Sequence, residues 1–250
     1  MKFRFGESVV DVNIPNRAAL LMAVRARLTA KQGFALATIN LDHLVKLRDS
    51  SAFRKDYADH DLIVADGNPI VWLSQLANSP VSLVPGSDLV EPLARIAASA
   101  EASVALVGST QWALDTAARY LTQSVPGLEI VMCVAPAMGF DPTGPQAVKI
   151  LTDLQQLGTG LCFVALGAPK QEAFAALGRK LAPSVGFASV GAGLDFLAGS
   201  QTRAPGWVRQ IAMEWAWRAL TSPSRLIPRY AACAAILPRQ IIDALKLRFA

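Results

Sequence analysis

The sequence predicts an α/β fold in which a mostly parallel sheet carries helices on both faces, followed by a basic, helical C-terminal appendage. Short apolar runs alternate with amphipathic segments along most of the chain, and hydrophobic residues make up 52% of it. This composition is sufficient for a sizeable core. Positive charge is concentrated in the last fifth: residues 203–250 hold 8 Lys/Arg and 2 Asp/Glu, against 16 and 17 in residues 1–202.

Six apolar runs have the length of buried strands, and several of them end in a polar or glycine-rich turn. They cover residues 34–39, 62–65, 103–107, 128–134, 161–166 and 186–190. Between them, apolar residues recur at helical spacing in residues 17–30, 89–100, 111–121, 145–157 and 171–181. Strands that alternate with helices in this way are typical of a Rossmann-like sheet covered on both faces.

The pattern changes near residue 200, where strand-like runs stop and Trp, Arg and Pro become frequent. We therefore predict a Rossmann-like domain over residues 1–200 and a helical, basic appendage over residues 201–250. Trp207, Ile211 and Trp215 recur every four residues and give an apolar stripe on one helical face. Aromatic residues beside arginines are typical of a helix that lies at the surface of an anionic membrane.

Other roles for the appendage remain open at this stage. Its arginines could instead bind substrate diphosphates through bidentate contacts. The apolar stripe could dock the helices on the body and leave the arginines solvated, or it could pair subunits in a homo-oligomer. Nucleic acid is not an expected partner, because no recognisable reader module is present.

Several classes of protein are excluded by what the chain lacks. Residues 1–7 have no apolar signal region, and no apolar stretch is long enough for a spanning helix, so we expect a cytoplasmic protein. Cys133, Cys162 and Cys233 have no short spacing and are expected to be reduced thiols. With two histidines and no clustered cysteines, we expect neither a metal site nor a cofactor.

Polar and glycine-rich turns follow five of the predicted strands, so parallel pairing would bring them to one edge of the sheet. Ligands bind at this edge in open α/β sheets. The turns contain Thr38 and Asn40, Asp66 and Gly67, Gly108 and Ser109, residues 167–172, and Gly191 to Asp195. The sequence therefore predicts a binding site at the carboxyl edge.

Asp66 is the strongest catalytic candidate in this set. It follows an apolar strand and precedes a glycine and a proline-led helix. A partly shielded carboxylate at such a place can act as a general base. It can equally cap the helix that follows, and position alone does not separate the two roles. Thr38 and Asn40 are weaker candidates, because an Asn after a strand is usually a turn residue that bonds its own backbone.

The turn 167–172 is suited to a diphosphate. Gly167 would permit close backbone approach, and Pro169 can start a helix without losing a hydrogen bond. The helix N-terminus then offers N–H donors, to which Lys170 and Gln171 add their own. An ordinary strand-to-helix turn with a solvated lysine is the alternative.

Three other motifs are interpreted as structural. Gly191-Ala-Gly193 lacks the third glycine and the helix of a dinucleotide fingerprint. Asp59-His60-Asp61 precedes its strand, so it should lie at the wrong end of the sheet and form a solvated loop. His43, in the helix after Asn40, is interpreted as a histidine with satisfied hydrogen bonds.

The order and spacing of these motifs over residues 5–230 resemble the WecG/TagA/CpsF family of glycosyltransferases. The resemblance is carried in the body by Thr38-x-Asn40, Ala65-Asp66-Gly67, Pro85-Gly86-Ser87-Asp88-Leu89, Gly108, Gly167-Ala-Pro169-Lys170-Gln171-Glu172, Gly191-x-Gly193-x-Asp195-Phe196 and Arg203-Ala204-Pro205. In the tail it is carried by Glu214-Trp215-x-x-Arg218, Pro223-x-Arg225-Leu226 and Arg229-Tyr230.

The resemblance implies an inverting, metal-independent enzyme that moves a hexose, N-acetylmannosamine first, from a UDP-sugar to an undecaprenyl-diphosphate-linked sugar at the inner face of the plasma membrane. It makes Asp66 the general base. Substrate binding falls to Thr38, Asn40, Gly67, Gly86, Asp88, Arg203, Arg218, Arg225 and Arg229. Nucleotide binding falls to Gly108, Gly167, Pro169, Lys170, Gln171, Glu172, Gly191 and Asp195.

The chain departs from the family pattern at Leu83, where members often carry a basic residue, and at Ser222, which is often acidic. Use of UDP-glucose or another UDP-hexose on the same scaffold is therefore an alternative. A non-catalytic, nucleotide-binding protein that docks on membranes is a second one.

Overall fold

A computed structural model of the chain describes residues 1–201, 205, 208, 217 and 223–249. An antiparallel hairpin, β1 (Lys2–Phe5) and β2 (Ser8–Asp11), precedes a six-stranded sheet. The sheet consists of β3 (Phe34–Ile39), β4 (Leu62–Ala65), β5 (Val104–Gly108), β6 (Ile130–Val134), β7 (Leu161–Ala165) and β8 (Gly186–Ser189). Its strands lie in the order β4-β3-β8-β7-β5-β6, and every pair is parallel. The predicted α/β class and parallel sheet are confirmed.

Helices connect the strands and cover the sheet. They are α1 (Arg17–Thr29), α2 (Leu41–Asp49), α3 (Ser51–Ala58), α4 (Asn68–Leu76), α5 (Val90–Ser99), α6 (Gln111–Ser124), α7 (Pro145–Gln156), α8 (Lys170–Leu181), α9 (Gly193–Ala198) and α10 (Pro223–Arg248). A 3-10 turn, Gly86–Asp88, precedes α5. The five helices and six strands predicted above are present, with ends that differ by three residues at most.

Side chains alternate between the two faces of the sheet, as the pleat requires. Phe34 and Leu36 of β3 pack with α1, α5 and α6 on one face. Ala37 and Ile39 of the same strand pack with α2, α3, α4 and α10 on the other. The second face continues over β5 and β7 against α7 and α8. Helices therefore cover both faces of the sheet.

The appendage contributes to this core through its last helix. α10 lies against α2 and α4, where Ile236 and Ala244 are buried in the cluster that also contains Leu44 and Leu73. Other side chains of the same helix are exposed, among them Ile242, with 54% of its surface accessible. Within the described residues, no helix is long and apolar enough to cross a membrane. Trp207, Ile211 and Trp215, which carry the predicted stripe, lie outside the described residues.

Two features of the fold differ from the sequence predictions. The hairpin β1–β2 was not predicted, because two four-residue strands joined at Gly6 are too short to give a clear alternating pattern. A helix, α9, does begin at Gly193, although none was expected there. The third glycine of a dinucleotide fingerprint is absent all the same.

Candidate active site at the carboxyl edge of the sheet

Asp66 and Asn40 follow neighbouring strands and are brought together by the parallel register. Ile39 lies opposite Ala65, and the Asp66 N–H donates to the Ile39 carbonyl at 2.7 Å. Asp66 is half-buried. The cap position of α4 belongs to Gly67, whose φ of 124° suits glycine. The N-cap position therefore belongs to Gly67 and not to Asp66.

Asn40 is the N-cap of α2, and its Oδ1 accepts the His43 backbone N–H at 3.1 Å. The turn role expected from its position is confirmed. A Cβ built on Gly67 would lie 3.8 Å from the Asn40 Cβ, so the two turns are in contact. The cap uses the Asn40 Oδ1.

Thr38 lies two residues before Asn40 in β3 and is buried. Its hydroxyl donates to the Ser189 carbonyl of β8 at 3.4 Å. Gly86 packs so closely on it that a Cβ there would come within 3.0 Å of Thr38 Oγ1. The segment that carries Gly86 is fixed to β4, since the Val84 N–H donates to the Ala65 carbonyl at 2.7 Å. Asp88 ends the same 3-10 turn and is half-buried.

Farther along the edge, Gly108 and Asp195 hold the turns after β5 and β8. A Cβ on Gly108 would lie 2.4 Å from the Ala165 carbonyl oxygen, and its φ is 117°, so only glycine fits between β5 and β7. The Ser109 hydroxyl donates to Asp195 Oδ1 at 2.5 Å. Gln201 Nε2 donates to the other carboxylate oxygen at 3.3 Å. Asp195 thus ties α9 to the turn after β5.

The turn between β7 and α8 contains a cis peptide bond between Ala168 and Pro169. Gly167 has a φ of 72°, which favours glycine, and no protein atom lies within 4 Å of the place where a Cβ would be. The close approach of a diphosphate to this turn stays a prediction. No side chain caps α8. Lys170 Nζ donates to the Phe140 carbonyl at 2.8 Å, so its ammonium is engaged by the protein.

Gln171 and Glu172 are buried beneath this turn and join it to the neighbouring one. The Gln171 amide accepts the Gly191 N–H at 3.2 Å and donates to Glu172 Oε1 at 2.8 Å. Glu172 Oε2 has no hydrogen-bond partner among the described residues. Burial raises the pKa of Glu172 to about 7. Because Glu172 is wholly buried, it supports the turns from below and does not line the edge.

His43 and Tyr57 complete this buried group. His43 Nδ1 lies 2.5 Å from the Tyr57 hydroxyl, and its Nε2 lies 3.9 Å from Glu172 Oε1. Burial lowers the pKa of His43 to about 3, so the imidazole is neutral and the contact with Glu172 is not an ion pair. The interpretation of His43 as a buried, hydrogen-bonded histidine is confirmed. Sequence analysis missed Tyr57, which carries no local signal of its place beside Glu172.

Asp59, His60 and Asp61 lie before β4, at the opposite end of the sheet, as predicted. The expected solvated loop is wrong, however. Asp61 accepts the Ala35 N–H at 2.9 Å and pairs with Arg179 at 3.0 Å and Arg27 at 3.4 Å. Burial lowers the pKa of His60 to about 4. This motif fixes the start of the sheet and has no place in the candidate site.

Of the predicted tail arginines, Arg229 is described in full. Its Nε lies 2.9 Å from Asp42 Oδ1, two residues after Asn40, and Lys46 pairs with the same carboxylate. Arg229 is therefore engaged with the body in this conformation. Arg203, Arg218 and the side chain of Arg225 lie outside the described residues. In the part of the chain that is described, no three His, Cys, Asp or Glu side chains are placed to share a metal ion.

The chain is similar to known proteins over most of its length. Residues 8–249 match the glycosyl transferase WecG/TagA/CpsF family. An N-acetylglucosaminyldiphosphoundecaprenol N-acetyl-beta-D-mannosaminyltransferase of Bacillus spizizenii is 26% identical over 210 residues, which cover 81% of this chain and 79% of that protein. An enzyme of the same name from Bacillus subtilis is 25% identical over 213 residues, 80% and 78% of the two chains. With the match running through both the carboxyl-edge turns and α10, this chain belongs to the WecG/TagA/CpsF glycosyltransferase family.

Proposed function

We propose that the protein transfers a hexose, N-acetylmannosamine in the first instance, from a UDP-sugar to N-acetylglucosamine carried on undecaprenyl diphosphate. The reaction proceeds with inversion at the sugar C1 and without a metal ion or other cofactor. The proposal is supported by family membership and by the names of two relatives that match about four-fifths of the chain. It places the enzyme at the inner face of the plasma membrane.

The position of Asp66 carries the proposal. Its half-buried carboxylate stands at the end of β4 beside Asn40, above the buried Thr38. In the proposed step, an acceptor hydroxyl attacks the donor C1 while Asp66 takes the hydroxyl proton. The bond between C1 and the UDP oxygen breaks as the new glycosidic bond forms, and UDP leaves with the electron pair. We assign Asn40 to donate from its amide to a sugar hydroxyl and orient it.

The negative charge that develops on UDP needs donors on the other side of the donor sugar. The start of α8 offers the positive end of its dipole there, while the Gln171 N–H donates to the Gly167 carbonyl at 3.1 Å. Lys170 adds to this dipole if its ammonium exchanges the Phe140 carbonyl for the diphosphate. Arg203, Arg218, Arg225 and Arg229 are the proposed counter-charges from the appendage. For Arg229 this requires release from Asp42.

The lipid acceptor requires access to the membrane, and we assign that contact to the appendage. Ile242 and Leu245 on α10, and Phe249 directly after it, are exposed, with 54%, 38% and 83% of their surfaces accessible. Lys246 and Arg248 lie among them. Apolar side chains with interspersed cations suit the headgroup region of an anionic leaflet. The same face would serve if subunits pair as a homo-oligomer.

One observation favours a second donor. Leu83 occupies the place where relatives often carry a basic residue, forms a bridge with Ala65 and is 41% exposed. It therefore presents an apolar surface one residue along the edge from Asp66. A donor that needs no cation at this point, such as UDP-glucose or another UDP-hexose, is the second candidate.

The test is UDP release from a panel of UDP-sugars, with a short-chain prenyl-diphosphate N-acetylglucosamine acceptor in EDTA. Acceptor-dependent release with UDP-N-acetylmannosamine alone is the expected result. Release with UDP-glucose instead would select the second candidate. No release from any donor, with vesicles present, would leave a nucleotide-binding protein without this activity and overturn the proposal.

A further inference from the structure

A second concave region lies away from the carboxyl edge, between the β1–β2 hairpin, the end of α2, the start of α3 and the middle of α10. Its volume is about 370 Å³, which is within the range of small-molecule sites. Four arginines from these four elements line it, over a floor that includes Leu44 and Ile236. The arginines are Arg4, Arg48, Arg54 and Arg239. We refer to this region as the arginine cleft.

The positive charge of the cleft is only partly balanced. Arg48 pairs with its neighbour Asp49 at 2.6 Å, and Arg239 lies 3.8 Å from Asp243 on the same helix. Neither carboxylate belongs to the lining. Among the described residues, no carboxylate pairs with Arg4 or Arg54. Four arginines therefore line one space with two carboxylates beside it, and an anion that enters would balance the remaining positive charge.

One of these guanidinium groups is held in place by the backbone. Arg54 Nη1 donates to the carbonyls of Leu47 at 2.6 Å and Arg48 at 3.2 Å, at the C-terminal end of α2. These bonds fix its orientation but add no negative charge to the site. An immobilised guanidinium loses little conformational entropy when it binds a ligand. Arg54 therefore gives the cleft a preformed element, whereas exposed Arg4 and Arg239 can adjust around it.

The chemistry of the lining selects one class of ligand. Guanidinium forks match the oxygens of phosphate in bidentate contacts. The buried Leu44 and Ile236 exclude water from the floor, which strengthens such contacts. We propose that the arginine cleft binds the phosphate group of a small anionic ligand. The ligand is either a soluble phosphate compound or the headgroup of a membrane phospholipid, and both present the same phosphate chemistry.

The cleft is separate from the candidate active site, and this inference does not depend on the proposed glycosyl transfer. α2 starts beside Asn40 at the carboxyl edge and ends at Asp49. Arg48 is eight residues beyond Asn40, about 12 Å along the helix at the rise of roughly 1.5 Å per residue. No residue assigned to donor or acceptor binding lines the cleft.

The test compares two double variants of the full chain. Arg4→Gln with Arg239→Gln removes two adjustable cations and keeps Arg54, whose bonds hold the end of α2. Arg17→Gln with Arg25→Gln is the matched control, because it removes two exposed arginines from α1 on the other face of the sheet. Binding of pyrophosphate is measured by calorimetry with saturating UDP present, so that the carboxyl-edge site is occupied. Binding to phosphatidylglycerol vesicles is measured by sedimentation, with phosphatidylcholine vesicles as the blank.

The cleft variant should bind one of the two probes about tenfold more weakly than the wild type, while the α1 variant binds as the wild type does. Weaker pyrophosphate binding with unchanged vesicle binding identifies a soluble phosphate ligand. Weaker vesicle binding, with or without weaker pyrophosphate binding, identifies a headgroup. If the wild type binds neither probe, or if the two double variants lose binding equally, the inference is overturned. A failure of UDP-sugar turnover in the same protein would count only against the proposed function.

Discussion

Arg229 of α10 lies 2.9 Å from Asp42 of α2, and this ion pair joins the appendage to the helix that begins at the candidate active site. Asp42 is only 12% exposed and is shared with Lys46. Asn40, two residues earlier, caps the same helix and contacts the turn that holds Asp66. The first turn of α2 therefore contacts both the appendage, through Asp42, and the turn that holds Asp66, through Asn40.

A double-mutant cycle measures this connection. Arg229→Ala and Asp42→Asn should each reduce the free energy of unfolding, and the double variant should lose less than the two losses added. We expect a coupling energy of about 0.5–1 kcal/mol, since Arg229 is 42% exposed. Arg239→Ala is the control, because its partner lies on its own helix at 3.8 Å. Losses that simply add would mean that the pair does not join the two elements.

Gly108 and Gly167, at the carboxyl edge of the sheet, differ in the space available for a Cβ atom. This difference predicts how well each position tolerates alanine. Gly108→Ala places its Cβ 2.4 Å from the Ala165 carbonyl oxygen, so β5 and β7 must separate. We expect a loss of more than about 3 kcal/mol of stability. Gly167→Ala has a positive φ but open space, and should cost about 1–2 kcal/mol. Chemical denaturation of both variants checks the order, and equal losses would contradict it.

Glu172 should make the protein less stable as pH rises. Its pKa is about 7 in the fold, against 4.5 for an unperturbed glutamate, so between these values the unfolded chain holds fewer protons than the folded one. The stabilisation is complete below about pH 4.5 and is lost as pH approaches 7. Glu172→Gln should gain stability relative to the wild type across this window, by at most about 3 kcal/mol at neutral pH. Denaturation at several pH values measures the difference.

The quantity to measure is how the stability difference between Glu172→Gln and the wild type changes with pH. Its size at a single pH is not sufficient, because the amide also changes the hydrogen bond with Gln171. Glu129→Gln, at an exposed position, is the matched control and should show no slope. If the difference between Glu172→Gln and the wild type does not change with pH, Glu172 is ionised in the fold. Its Oε2, which has no hydrogen-bond partner among the described residues, would then carry buried negative charge.

The two histidines predict the opposite trend in acid. Burial lowers the pKa of His43 to about 3 and that of His60 to about 4, against 6.5 in the unfolded chain. Stability is therefore present above pH 6.5 and is lost as pH falls toward these values. Each histidine contributes up to about 1.4 kcal/mol per pH unit within its window. His60→Gln should remove its share of the acid slope, and an unchanged slope would show that His60 is protonated in the fold.

Sequence analysis found those site residues whose positions follow from the local pattern of apolar and polar residues. Asp66 follows a four-residue run that is wholly buried, so both its strand and its place at the edge could be predicted. The group of His43, Tyr57 and Glu172 could not, because its members come from three helices and meet only when these pack together. Glu172 stands in the first turn of a helix, where acidic residues are usually exposed. Its complete burial depends on long-range contacts.

Asp66→Asn is the decisive variant for the proposed mechanism. The amide keeps the shape of the side chain but cannot accept the acceptor proton, so the turnover number should fall by about 100-fold or more. Folding should be preserved, because the amide has the size of the carboxylate and the 2.7 Å bond from Asp66 to the Ile39 carbonyl uses the backbone N–H. The affinity for UDP should also be nearly unchanged, since the proposed diphosphate donors lie at the start of α8 and in the appendage. Asp115→Asn, on the exposed side of α6, is the control and should keep full turnover. Turnover of Asp66→Asn within twofold of the wild type would dismiss Asp66 as the base, whereas lost UDP affinity would move its role to donor binding.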